Sequence, residues 1–541
     1  MSFVDTFFAN LKKNPSRPFV TEVHGARLER THGGRLAELI AHARGALRAH
    51  EIAPGDRVVL LAPNSAKWVA ADIAMLAEGA IVVPMYARQA KDELVLMMKD
   101  AGASLVVCAD EALEEGVKAE WAEAPTITFH QLFSGDAVSE PPKPRADEDV
   151  VTIIYTSGTS GEPKGVMTTA GNVRFMLDTI DRRLTELMGR PGGRDRVFHY
   201  LPFCFAGSRF VLWSNLYREN GVMVSTDLSN LPEELKTAQP EWFLNVPALL
   251  ERVKEGVEKK IAGQGLPVRK LYDAAIEAWR DARKDRATLP QRLLLAAARR
   301  TIFAKIKAQI GEELSCLICG SAPLAEETQA WFELLGLPVY QVYGLTETTA
   351  IVSMDRPRAA APGKVGYAID GVEMKLGEGS ELLVRGPNIF SGYWGKDEAT
   401  EDAFQGGWFR TGDQGRIDTD GRLVIVGRVK NILVPESGHN VAPEPIEQRL
   451  LEGVPGVTQA VVIGHGRPYL TAILTGDTPR EEAAKAIDAI NEGLPHYRRI
   501  RSFHLSPEPF SIENGLLTAN SKLRRKAIEA HYADAIERLY A

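Results

Sequence analysis

The chain has 541 residues and a formal charge of −7, set by 64 Lys and Arg against 71 Asp and Glu. At roughly 150 residues per domain it holds about three or four compact units, and its charge balance offers no global field for nucleic acid. Its 45% hydrophobic and 25% charged residues exclude a disordered chain, a fibre and a coiled coil.

The opening MSFVDTFFANLKK spaces Phe3, Phe7 and Leu11 at helical intervals and has no cationic start before an apolar block, which predicts a short amphipathic helix and not a signal peptide. The longest apolar-looking stretch, 68–86, is broken by Asp72 and Glu78, so no run of about 20 residues is available to span a membrane. Over 51–110 strand and helix alternate: RVVLLA reads as a strand, SAKWVAADIAMLAEG as a helix capped by Ser65, AIVVPMY as a strand, ELVLMMKDAG as a helix and SLVVCAD as a strand. This is the rhythm of a parallel α/β sheet. After the Pro-rich acidic spacer SEPPKPRADEDV, the strand VTIIYT runs into a glycine-rich loop at 157–165.

Over 231–310 the pattern turns helical and strongly charged, which predicts a helical layer inserted at the surface. Strands return at LSCLICGSA and VYQVYGL, followed by the short runs VEMKLGEG, SELLVRG, GWFRTGD and GRLVIVG. Residues 427–430 read as a junction. Beyond them lie the helix EPIEQRLLEG, the strands VTQAVVIG and YLTAILTG, the helix EEAAKAIDAINEGL, the strand RSFHLSP and a final basic helix from Lys522. No tandem repeat is present, so the plan is a large amino-terminal domain and a small carboxy-terminal one.

The most informative string is Tyr155, Thr156, Ser157, Gly158, Thr159, Ser160, Gly161, Glu162, Pro163, Lys164, Gly165. It follows a buried strand and concentrates unshielded backbone N–H groups, hydroxyls and one ammonium, which makes a nest for phosphate oxygens. The P-loop spacing is absent. The competing reading of the string alone is an ordinary turn.

As a whole, the string resembles the signature of the adenylate-forming, or AMP-binding, enzymes. The resemblance extends to Gln341, Val342, Tyr343, Gly344, Leu345, Thr346, Glu347, Thr348, to GWFRTGD at 407–413, and to Gly427, Arg428, Val429, Lys430. It implies that Thr156, Ser157, Gly158, Thr159, Ser160, Gly161 and Lys164 hold the phosphates of ATP. It likewise implies that Thr346 touches the α-phosphate and Glu347 ligates Mg²⁺, which prefers few protein oxygens alongside phosphate and water. Tyr343 offers a flat face for adenine, with Gly320, Ser321, Ala322 and Pro323 as the opposite wall and Gln341 and Gly344 nearby. Asp413 accepts the ribose hydroxyls, since a carboxylate has two oxygens, and Arg428 joins it.

In NGLLTANSKLRR, at 514–525, the resemblance gives Lys522 the task of reaching the carboxylate and α-phosphate, as a compact charge on a long stem. Ala519 stands where the family usually has Pro. Lys430 is the implied hinge, and Gly438 and His439 lie where CoA approaches.

The branch that matches best is the long-chain fatty acyl-CoA synthetases, from YLPFCFAGSR at 200–209, Asn245, Val246, Pro247, the helical insertion and VIGHGRPYL at 462–470. Phe205 stands at the family's His place and Ser208 at its Glu place, while Arg209 is retained. The fold implied is α/β and acyl-CoA synthetase/luciferase-like. Its amino-terminal adenylation domain, 1–427, has mixed and parallel sheets layered with helices plus a β-rich subdomain. A hinge at 428–431 joins it to a small mobile α+β domain, 432–541.

The function implied is an ATP-dependent fatty acid:CoA ligase with ATP, Mg²⁺ and CoA, acting through acyl-AMP. The alternatives are a ligase that loads a carrier protein and a catalytically silent acyl-nucleotide sensor. Family members are often homodimers. Four cysteines, Cys108, Cys204, Cys316 and Cys319, make a reducing cytoplasm the default, with room for peripheral membrane contact. The CxxC spacing of Cys316 and Cys319 lies on an apolar strand and reads as core. His199 reads as a polar contact, and Gly464, His465, Gly466 as a turn.

Overall fold

The computed structural model describes residues 2–157, 163–518 and 522–541. It divides into two compact units: Met1–Glu373 with Arg385–Asp402 and Gly421–Leu423, and Met374–Val384 with Ala403–Asp420 and Val424–Ala541. The strands expected just before the junction therefore group with the carboxy-terminal residues.

The first unit is built on two sheets. A seven-stranded sheet runs in the order Gly392–Tyr393, Pro163–Thr169, Val150–Ser157, Ile81–Met85, Arg57–Leu61, Leu105–Cys108, Thr126–Thr128. From Val150–Ser157 onward its strands are parallel, while the first two pair antiparallel. The parallel strands read as continuous apolar runs because helices cover both faces. Helix Ala66–Ala77 opens where Ser65 accepts from the Trp68 N–H, satisfying one of the donors that a helix start leaves over.

The second sheet has nine strands. Val339–Tyr343, Leu317–Cys319, Trp242–Asn245, Val197–His199, Val222–Ser225 and Pro18–His24 form its parallel centre. The opening helix Phe3–Lys13 is capped by Ser2 and Asp5 and buries Phe3, Phe7 and Leu11.

The helical layer is present as Leu231–Ala238, Pro247–Ala262, Leu266–Arg283, Leu289–Arg300 and Ile302–Gly311. It packs Leu250, Tyr272, Ala275, Leu295, Phe303 and Ile306 over the nine-stranded sheet. The strand Trp242–Asn245 interrupts it, which the charge pattern concealed because a buried strand four residues long carries no periodicity.

In the second unit, Leu423–Arg428 and Trp408–Ile417 belong to a five-stranded sheet. The carboxy-terminal sheet has three strands, Val457–Ile463, Leu470–Gly476 and Ile500–Ser506. Helices Glu444–Gly453 and Arg480–Glu492 cover one core, and Arg525–His531 and Ala533–Tyr540 cover the other. The last basic helix thus starts at Arg525, and Lys522 precedes it in an extended stretch where Leu517 and Leu523 bridge.

All four cysteines are buried as free thiols, and burial pushes Cys316 up to about 12, so CxxC is core as expected. His199 is fully buried, stacked on Phe203 at 5.1 Å, and burial pulls it down to about 3. Among the described residues, no helix is long and apolar enough to cross a membrane.

Between the two sheets lies a buried ion pair. Arg209 donates to Asp72 and to the Thr152 hydroxyl, and the Trp213 indole donates to the other oxygen of Asp72 at 2.7 Å. Burial pushes the Asp72 carboxyl up and the Arg209 guanidinium down, each offset by the opposite charge. Arg209→Met leaves Asp72 buried without its partner, and breaking such a pair costs about 3–5 kcal/mol. We expect the first urea transition of the variant to move to lower denaturant, and Asp72→Asn in the same chain to recover part of the loss.

Candidate active site

The strands Val150–Ser157 and Pro163–Thr169 form a hairpin that pairs Thr156 with Lys164 and Ser157 with Pro163. Gly158, Thr159, Ser160 and Gly161 lie outside the described residues. The Lys164 ammonium lies 4.8 Å from the centre of the Tyr393 ring. The Tyr393 hydroxyl donates to Glu347 Oε1 at 3.0 Å. One tyrosine therefore brings together two residues expected to share a site, although 183 positions separate them. Tyr393 was missed in the sequence because its SGYWG setting reads only as a turn; the pairing of Gly392–Tyr393 with Pro163–Thr169 is what places it.

Thr346 and Glu347 stand on the short turn Thr346–Thr348. Thr349 and Ala350 follow with φ of 51° and 77°, a conformation that costs a β-branched residue about 1–3 kcal/mol and persists only where surroundings enforce it. Buried Asn388 enforces it. Its amide donates to the Ile351 and Thr348 carbonyls, and Thr349 Oγ1 donates to the Asn388 carbonyl at 2.6 Å. Gly344 sits under this turn, where a Cβ would lie 2.1 Å from the Ala350 carbonyl oxygen.

Tyr343, half-buried, ends the strand Val339–Tyr343. Gly320 is buried against Val342, and Ser321, Ala322 and Pro323 are exposed after the strand Leu317–Cys319. Gln341 is turned inward, its amide donating to Gln329 Oε1 at 2.7 Å. Beside it Asp355 is fully buried and accepts from the Gln341 N–H at 2.9 Å. Burial raises its carboxyl to about 7.

In the second unit, Asp413 is 4% exposed on the strand Trp408–Ile417, and Arg428 Nε lies 2.8 Å from its Oδ1. Arg428 also donates to the Thr411 carbonyl. The structure thus joins this predicted pair. Lys430 is exposed on the turn Val429–Asn431, and Asn431 donates to Glu444 at 2.7 Å. Gly438 takes a positive φ of 74°, and exposed His439 stacks on Tyr497 at 4.2 Å.

Lys522 stands at the foot of a hairpin. The Thr518 N–H donates to the Lys522 carbonyl at 2.8 Å, and the Lys522 N–H donates to Thr518 Oγ1. Residues 519–521, including Ala519, lie outside the described residues. The basic cluster after Lys522 is only partly solvated, because Arg525 forks onto buried Glu447 at 2.7 and 2.5 Å.

The family model described as AMP-binding enzyme matches residues 7–394, and that of the AMP-binding enzyme C-terminal domain matches residues 430–541. The chain belongs to the AMP-binding enzyme family. It is 29% identical to Long-chain-fatty-acid–CoA ligase FadD15 of Mycobacterium bovis, over 90% of this chain and 88% of that protein. It is 31% identical to Putative fatty-acid–CoA ligase fadD11 of Mycobacterium tuberculosis, over 78% and 80%. The crystal structure of ATP-bound MatB from Rhodopseudomonas palustris shares the fold, with a TM-score of 0.76 at 23% identity over 99% of this chain and 100% of that one.

Two outcomes follow from this geometry. Asp355 holds its proton more tightly folded than unfolded, where its value is about 3.9. The stability it contributes is complete below that value and is lost as pH rises through about 7. Asp355→Asn should therefore match the parent near pH 4 and exceed it at about pH 8.5, by at most about 4 kcal/mol, in chemical denaturation. Tyr393→Phe keeps the ring beside Lys164 and removes the donor to Glu347. A hydrogen bond to a charged group contributes about 1.5–3 kcal/mol, so calorimetric titration should show ATP binding weakened about tenfold or more.

Proposed function

We propose that the protein is an ATP-dependent fatty acid:CoA ligase, which forms acyl-AMP and pyrophosphate and then passes the acyl group to CoA. The observation that carries this reading is the assembly of Lys164, Tyr393 and Glu347 at the root of the glycine-rich hairpin in a chain of this family. The two mycobacterial relatives, named as fatty-acid–CoA ligases, support the choice of acid and acceptor.

A carboxylate is a poor electrophile, and AMP transfer gives it a leaving group. The protein's part is to position and to stabilise charge. Lys164 and the hairpin backbone hold the outer phosphates, Thr346 the α-phosphate, and the rings of Tyr343 and the 320–323 turn the adenine. Asp413, oriented by Arg428, accepts the ribose hydroxyls. Glu347, with one oxygen on Tyr393, presents a single carboxylate beside the ring that also meets Lys164, a donor set that fits Mg²⁺ completed by phosphate and water. Bound there, the ion would neutralise developing charge on the phosphates.

Lys522 supplies the charge that meets the acyl carboxylate and the α-phosphate in the adenylating step. Lys430 is the pivot that separates adenylation from thioester formation, in keeping with the C-terminal family match beginning at 430. Gly438 and His439 serve CoA. Four buried free thiols support a reducing cytoplasm.

The reading is tested with a panel of fatty acids of about six to eighteen carbons, offered with ATP and either CoA or an acyl-carrier protein. Thioester formation with CoA is expected, and turnover with the carrier protein alone would overturn the acceptor. Lys522→Ala should lower acyl-adenylate formation roughly 10²–10³-fold, as for loss of one preorganised transition-state contact, with ATP binding nearly unchanged. An unaltered adenylation rate would remove Lys522 from the reaction.

A further inference from the structure

The surface of the helical layer is unlike the rest of the molecule. Among the described residues, the three most exposed large aliphatic side chains are Leu289 at 71%, Leu266 at 68% and Leu293 at 65%, all in this layer. The stretch 266–307 holds eleven Lys and Arg against four Asp and Glu, a formal +7 in a chain whose total is −7.

Helical geometry sorts these residues. On Leu289–Arg300, at 3.6 residues per turn, Leu289, Leu293, Ala296, Ala297 and Arg300 form one exposed stripe, and Arg292 and Arg299 lie along its margin. Leu295 and Ala298 point the other way, into the core. The preceding helix, Leu266–Arg283, starts with exposed Leu266 and Val268 beside exposed Arg269 and Lys270.

Core packing accounts for Leu295 and Ala298 but not for leucines that face water. An aliphatic stripe with a cationic margin is what an interfacial helix presents to a bilayer. Leucines enter the acyl boundary, arginine stems lie along it, and guanidinium groups stay with the headgroup phosphates. A second copy docking the same face would set like charges against each other, which opposes association.

We propose that the helical layer is a docking surface for an anionic lipid bilayer, seated through the helix Leu289–Arg300. The ligase reading gives the docking its use, since a fatty acid dissolves in the membrane, but the docking is measured without catalysis.

The test is flotation of the full chain with vesicles of equal parts phosphatidylglycerol and phosphatidylcholine, and with phosphatidylcholine alone. Binding is expected to the first and not to the second. Leu289→Ser with Leu293→Ser should lower the partition coefficient about tenfold or more, and Arg292→Gln, Arg299→Gln and Arg300→Gln about fivefold per charge removed. Both variants should melt as the parent does and keep its rate with a soluble short-chain acid. A parent chain that ignores anionic vesicles, or leucine variants that bind them equally, overturns the proposal. So does capture by polyglutamate without vesicle binding, which points to an acidic protein. A dimer mass lost on Leu→Ser substitution in the absence of lipid overturns it in favour of a second copy. Vesicle binding by a chain with no ligase activity sustains the docking and sinks only the catalytic reading.

Discussion

The hydrogen bonding of the segment 387–394 is the constraint on which the amino-terminal site depends. Asn172, in the first turn of the helix Ala170–Met188, donates to the Pro387 and Ile389 carbonyls. Asn388 holds the Thr346–Thr348 turn, Phe390 N–H donates to the Glu347 carbonyl, and Trp394 N–H donates to that of Gly165. The segment thus ties the strand Pro163–Thr169 to the turn that carries Thr346 and Glu347. Buried amides suit the task because each offers donors and an acceptor with fixed directions, and leaving any of them unmatched costs about 1–3 kcal/mol. That penalty makes the relative placement of the two loops nearly all-or-none.

Two ion pairs do comparable work elsewhere, the fully buried Asp72 with Arg209 and the buried Glu447 with half-buried Arg525. Such pairs add little net stability over an apolar core, because desolvation offsets the attraction. Each, however, joins a charged group to a backbone element that matters. Arg209 also donates to Thr152, on the strand that pairs with Pro163–Thr169, and Glu447 accepts from the Val462 N–H in the carboxy-terminal sheet. A hydrophobic pair of equal volume would fill the space without fixing direction.

Much of this was legible in the sequence, and the reasons differ by residue. The parallel strands 57–61, 81–85 and 105–108 announce themselves as apolar runs between helical stretches, and Lys164, Glu347 and Asp413 stand inside strings that resemble the motifs of the AMP-binding enzymes. Tyr393, Asn388 and Asn172 were not legible. Each owes its role to a partner more than 30 positions away, and nothing local distinguishes such an asparagine from one that caps a turn. The charge run from Lys522 places the start of the helix Arg525–His531 too early, because a cluster of cations reads alike whether it begins a helix or precedes one. Gln341 shows the converse: it belongs to a motif, yet its side chain is spent on Gln329.

The hairpin that ends at Lys522 has a consequence for stiffness. Thr518 and Lys522 close the loop on one side, and Arg525, three residues further, is clamped to Glu447 on the other. A lysine on a loose terminal tail would surrender conformational entropy of about 1–2 kcal/mol per residue each time it was needed. Here the pairing of Thr518 with Lys522 and the fork of Arg525 on Glu447 form as the protein folds, so the cost of ordering the Lys522 backbone is met in folding and not at a binding step.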